Sequence, residues 1–184
     1  MANRTGTYFG FDGLGETDPT KSDFKYYSTV QAWAGGKHIE FKFVNSHEKA
    51  SAVRDTSKRA TLEASIMQRL RASKNMVVIL SDQTRTSGSM LSFEIENAVD
   101  THELPLIIAH TGYDSILEPG ALSNRWPTAL ATRINNGTAK AIHIPFKKEA
   151  ILDAIGQFTV NTNTLNVPLE YYNRETQVRW GYIS

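Results

Sequence analysis

Five short apolar runs, each followed by a stretch with helical periodicity, leave this chain very few ways to fold. "TYFGF" (7–11), "HIEFKFVN" (38–45), "NMVVIL" (75–80), "LPLIIAH" (104–110) and "AKAIHIPF" (139–146) read as strands. Between and after them, roughly 21–34, 61–73, 88–102, 127–134 and 147–158 repeat apolar residues at the spacing of one helix face. Three strands are nearly continuous apolar runs, the pattern of strands covered by helices on both faces. Strand then helix, five times over, predicts an α/β three-layer sandwich around a five-stranded, mostly parallel sheet. Right-handed crossovers favour the flavodoxin-like strand order 2-1-3-4-5. The second strand alternates Ile39, Phe41 and Phe43 with polar residues, which suits a sheet edge.

The 184 residues suit one such domain with a short appendage. We place the domain at 1–160 and a C-terminal tail at 161–184. Tyr171, Tyr172, Trp180 and Tyr182 would be costly to leave in water, so the tail is expected to pack back on the domain. A net charge of +1 advertises neither nucleic acid nor an anionic membrane as partner. With no cysteine there is no disulfide, no thiolate metal site and no cysteine nucleophile. No apolar run approaches the ~20 residues that span a bilayer, and the first residues lack the apolar segment of a signal peptide. A cytoplasmic location is the expectation.

In sheets of this kind ligands bind outside the carboxyl ends of the strands, at the switch point between strands 1 and 3. The loops there supply Asp12, Asn45, His47, Arg54, Asp82, Arg85 and Asp114. Most have ordinary explanations. Gly10, Gly13 and Gly15 are wrongly spaced for a dinucleotide fingerprint and read as turn glycines. His47 is a lone histidine in a polar loop, His143 a strand residue, and Asp82 a turn cap. Arg54 and Asp55 can be a solvated pair of little worth. The five histidines show no metal-binding spacing.

Glu94 is different. In "SMLSFEIENAVD" (89–100), Leu91, Ile95, Ala98 and Val99 form one buried stripe, and Glu94 lies on or beside it. A buried carboxylate needs a partner, for which Arg54, a backbone cap or a tyrosine would serve. A structural and a functional role are equally open on the pattern alone.

The ordered segments "YFGFDG", "KYYSTVQAWAGGKHIEFKFVNSH", "AVRDTS", "RLRASKNMVVILSDQT" and "SFEIENAVDTHELPLIIAH" resemble the TIR-like domain family that includes the ThsB proteins of Thoeris anti-phage systems. The likeness runs from about Tyr8 to Phe158. It implies the TIR version of the flavodoxin-like sandwich and cleavage of NAD⁺ between nicotinamide and ribose, with NAD⁺ as substrate and no cofactor. It further implies conversion of ADP-ribose to a cyclic or modified nucleotide signal that reaches an effector protein, with a phage-derived activator and self-association as family options. The family's glutamate in "W-V-R-Y-E-I" falls on Glu94 of "MLSFEI", where Met90 and Ser92 replace the tryptophan and arginine. Phe11 and Asp12 match the segment lining the nucleotide pocket. Asn45, Ser46 and His47 match the start of the loop that closes over the ligand, and Arg54 lies further along it.

Three other readings compete. A receiver-like phosphoacceptor module would use Asp12, Asp82, Thr111 and Lys147 with magnesium. An inactive TIR-like scaffold would only bind partners. A nucleoside deoxyribosyltransferase-like enzyme would turn the same glutamate on a deoxynucleoside.

Overall fold

A computed structural model describes residues 4–15, 19–35, 43–44, 56–162 and 164–184 of the chain. The strands are β1 (Gly6–Gly10), β2 (Phe43–Val44), β3 (Ser73–Leu80), β4 (Leu106–His110), β5 (Ala141–Pro145) and β6 (Glu170–Tyr171). The helices are α1 (Phe24–Ala34), α2 (Thr56–Ala72), α3 (Met90–Asp100), α4 (Thr128–Asn135), α5 (Lys148–Gln157) and α6 (Arg174–Arg179).

Every strand pair is parallel, in the order β2-β1-β3-β4-β5-β6. The expected order 2-1-3-4-5 is therefore present, extended by a sixth strand from the tail. β1, β3, β4 and β5 are buried throughout apart from Lys74, because helices lie on both sides of the sheet. On one face Tyr8, Met76, Val78, Leu80, Leu106 and Ile108 meet the inner stripes of α2, α3 and α4. On the other, Phe9, Val77, Ile79, Ile107, Ala109, Ile142 and Ile144 meet α1 and α5. Neighbouring residues of a strand thus feed different cores, which is the two-residue repeat of the pleat.

The elements differ from the sequence expectation mainly at their ends. α2 starts at Thr56, inside a run expected to be loop from 46 to 60. Its first turns hold Ser57, Lys58, Arg59 and Ala60, which favour or tolerate helix yet carry no apolar stripe to announce one. Of the strand expected at 38–45, Phe43–Val44 is strand and pairs with β1, while 38–42 and 45 lie outside the described residues.

The tail returns to the domain. β6 joins β5 through Ile142↔Glu170 and His143↔Tyr171. Tyr172, Trp180 and Tyr182 pack against the α1/α5 core, with Tyr172 and Trp180 edge to face at 4.8 Å. Gln177 is buried and clasps the backbone of Ile116, accepting from its N–H at 3.0 Å and donating to its carbonyl at 2.7 Å. Among the described residues no helix is long and apolar enough to cross a membrane.

Candidate functional site

The switch point lies between the carboxyl ends of β1 and β3, because β2 leaves β1 to one side and β3 to the other. Three alternate residues of the β1 segment define its α3 side. The first, Tyr8, is fully buried, and its hydroxyl donates to Glu94 Oε1 at 2.8 Å. The second, Gly10, lets α3 come close. A Cβ there would overlap Met76 Cε and stand 3.0 Å from Leu91 Cδ1 and 3.2 Å from Glu94 Oε2. The third, Asp12, lies just beyond the strand.

Glu94 itself is fully buried, on the inner stripe of α3 with Leu91, Ile95, Ala98 and Val99. One of its expected partners was a tyrosine, and Tyr8 is that residue. Burial first, then the Glu94 charge and the hydrogen bond to it, push the Tyr8 phenol well above its usual range. The phenol therefore stays a donor across the working range of pH.

Asp12 is held by Arg85 from the loop after β3. Arg85 Nε and its backbone N–H both donate to Asp12 Oδ2 at 2.9 Å. Its Nη2 reaches Oδ1 at 2.7 Å, and Leu14 N–H reaches the same oxygen at 2.9 Å. The carboxylate is thus saturated by a bidentate fork and two backbone donors. Burial raises the Asp12 pKa, but the hydrogen bonds from Arg85 and Leu14 outweigh it and the net shift is downward. Beside this clasp Asp23 accepts from the Thr84 hydroxyl at 3.0 Å. Burial holds its carboxyl above the usual value, against the pull of Ser81 and Thr84.

The other expected site residues fall into two groups. Phe11 turns to the opposite face, where its ring stacks on Tyr27 at 5.4 Å and meets Phe24 edge-on at 6.0 Å. Asn45, Ser46, His47 and Arg54 lie outside the described residues. The structure thus brings Tyr8, Gly10 and Glu94 together, and sets the Asp12–Arg85 clasp two residues further along the same chain segment. Arg85 was among the loop residues read at the strand ends but had no assigned role, and Tyr8 and Gly10 were missing from the sequence-derived site. The parity of 8, 10 and 12 along one strand was the available signal for these last two. Among the residues a phosphoacceptor module would use, Asp12 is occupied by Arg85, Asp82 is exposed, and Lys147 bonds Asp114 at 2.8 Å.

A second polar cluster sits at the ends of β4 and β5. His143 Nε2 lies 3.1 Å from the Pro168 carbonyl, so this nitrogen carries the proton and donates. His143 Nδ1 must then accept, and His110 Nε2 donates to it over 3.2 Å. Burial drives His143 down to about 4, and burial with the neighbouring His143 drives His110 down to about 3. Both rings are neutral structural links between β4, β5 and the tail.

The profile of the family described as Thoeris protein ThsB, TIR-like domain, matches residues 8–115. That span runs from Tyr8 through β4 and contains Asp12, Arg85 and Glu94. Among solved structures the chain is similar to a 2-desoxiribosyltransferase from Leishmania mexicana, at 12% identity and a TM-score of 0.39, over 97% of each chain.

Proposed function

This chain belongs to the TIR-like domain family of Thoeris ThsB proteins, and on that premise we propose that it cleaves NAD⁺ at the nicotinamide–ribose bond. ADP-ribose is then closed on itself or joined to another group, and the product carries the signal to an effector protein. NAD⁺ is substrate rather than cofactor, and a cytoplasmic site of action follows from where that substrate is abundant.

The observation that carries the reading is the buried Glu94 carboxylate, bonded by Tyr8 and set beside Gly10, where a Cβ would crowd it. Loss of nicotinamide leaves positive charge on the ribose carbon and its ring oxygen. A fixed carboxylate out of bulk water stabilises that charge more strongly as it develops than in the neutral ground-state sugar. Its oxygens can also take hydrogen bonds from the ribose hydroxyls. The Tyr8 phenol holds the carboxylate in place and favours its ionised form. Glu94 is fully buried, so the groups around it shift as NAD⁺ seats against it, and a phage-derived activator or self-association would favour that shift. Folding the adenosine end back beside the same carbon would let one of its own atoms outcompete water.

Nicotinamide release from NAD⁺ tests the reading, measured by liquid chromatography for wild type and Glu94→Gln, with and without infected-cell lysate. The wild type is expected to release nicotinamide, and the folded variant to lose at least ~10²-fold in rate, the scale of one removed charge-stabilising group. An undiminished rate in Glu94→Gln would overturn the assignment.

A further inference from the structure

The Asp12–Arg85 clasp has a feature that a purely structural pair does not require. Asp12 is fully inside, while 44% of the Arg85 side chain is exposed. Nε and Nη2 face the aspartate, and Nη1 makes no hydrogen bond to any described residue. Two N–H bonds of Nη1 and the second of Nη2 are therefore presented outward, in a plane fixed by the buried carboxylate. The clasp lies just past the carboxyl ends of β1 and β3, and Asp12 follows Gly10 by two residues, at most ~7 Å of chain. A Cβ at Gly10 would stand 3.2 Å from Glu94 Oε2, so the strand backbone runs close beside the carboxylate.

We infer that Arg85 is the phosphate-binding residue of this crevice, taking the phosphate group next to the ribose on which Glu94 acts. The inference rests on the NAD⁺ reading above and deepens it. In a dinucleotide the 5′-phosphate is one sugar-width from the anomeric carbon, and the clasp follows Gly10, which lies beside the carboxylate, by two residues of one chain segment. A guanidinium suits a phosphate because its parallel N–H bonds match two phosphate oxygens. Pre-orientation by Asp12 removes the rotamer entropy that a long free side chain would lose on binding. Asp12 acts through Arg85 and is a positioning residue. The ligand class is a diphosphate ester, and a neutral nucleoside would gain nothing from this group.

Calorimetric titration of the full chain with ADP-ribose, at low and high salt, tests this. Wild type is expected to bind with an affinity that weakens as salt rises. Arg85→Ala should lose at least tenfold in affinity and most of the salt dependence. The double variant D12N/R85Q keeps a neutral hydrogen-bonded pair in place of the charged one, so it should stay folded and show the same loss. Arg85→Lys should fall short of wild type, since its single ammonium is spent on Asp12. Unchanged affinity and salt slope in folded D12N/R85Q would overturn the inference, as would a wild type that does not bind ADP-ribose at all. ADP-ribose binding that depends on Arg85, in a protein that releases no nicotinamide, would leave the inference standing and overturn the NAD⁺-cleavage reading alone.

Discussion

The Tyr8 hydroxyl donates to Glu94 Oε1 over 2.8 Å, joining β1 to α3 through residues 86 apart in sequence. The phenol holds the carboxylate in place. Tyr8→Phe should therefore leave the carboxylate less firmly placed and slow nicotinamide release by about tenfold. Loss of a hydrogen bond to a charged group should also cost about 1.5–3 kcal/mol of stability. Nicotinamide-release rates and urea melts check both effects, and an unchanged rate in folded Tyr8→Phe would separate Tyr8 from the chemistry.

Gly10 is needed for space. Alanine there would drive a methyl into Met76 Cε and crowd Leu91 and the Glu94 carboxylate. The Met76 terminus is flexible and can yield, so Gly10→Ala should fold at a cost of roughly 1–3 kcal/mol. Glu94 has less freedom, and nicotinamide release should drop further than stability alone explains. Combining Gly10→Ala with Met76→Ala should be non-additive by more than ~0.5 kcal/mol, since the two share one volume. A double-mutant cycle by chemical denaturation measures this.

The His110–His143 pair makes stability depend on pH. Both rings are neutral in the fold, His143 at about 4 and His110 at about 3, whereas the unfolded chain takes up these protons near 6.5. Below 6.5 the unfolded state binds more protons, so stability falls as pH falls. The loss spans pH 6.5 to about 4 for His143 and to about 3 for His110, and should reach the order of a few kcal/mol. His143→Gln can still donate to the Pro168 carbonyl and accept from His110, and should flatten the slope in that window. Thermal melts from pH 7 to pH 4 show whether it does.

Gln177 offers a test of the tail. Its side-chain amide serves the Ile116 N–H and carbonyl, and also donates to the Tyr172 carbonyl at 2.6 Å. Gln177→Leu keeps the bulk and leaves these buried backbone groups without partners. It should cost at least ~1–3 kcal/mol, more than an exposed change such as Val178→Thr. Comparison of the two denaturation midpoints decides.

Much of this architecture was legible from patterns repeated over many residues. The runs "NMVVIL" and "LPLIIAH" mark central strands because only sheets covered on both faces use such unbroken apolar stretches. The Leu91–Ile95–Ala98–Val99 stripe by itself puts Glu94 on or beside the inner side of its helix. What stayed hidden depends on long-range pairing. Nothing near Asp12 announces that Arg85 grips it from 73 residues away. Nothing in "RETQVR" says that its glutamine will hold Ile116. The start of α2 was lost because polar helix formers carry no periodic signal, and Phe11 was grouped with Asp12 although adjacent residues of a pleated segment face opposite ways.

The first strand works as a ruler graduated in steps of two, with phenol, gap and anchor on its even marks. Deletion or insertion of a single codon between Tyr8 and Asp12 would swap the even and odd sides from that point on. The aromatic rings of Phe9 or Phe11 would then be delivered to the acid, and Arg85 would lose its anchorage. Length variation in this segment should therefore be tolerated only in pairs, whatever the loops around it allow.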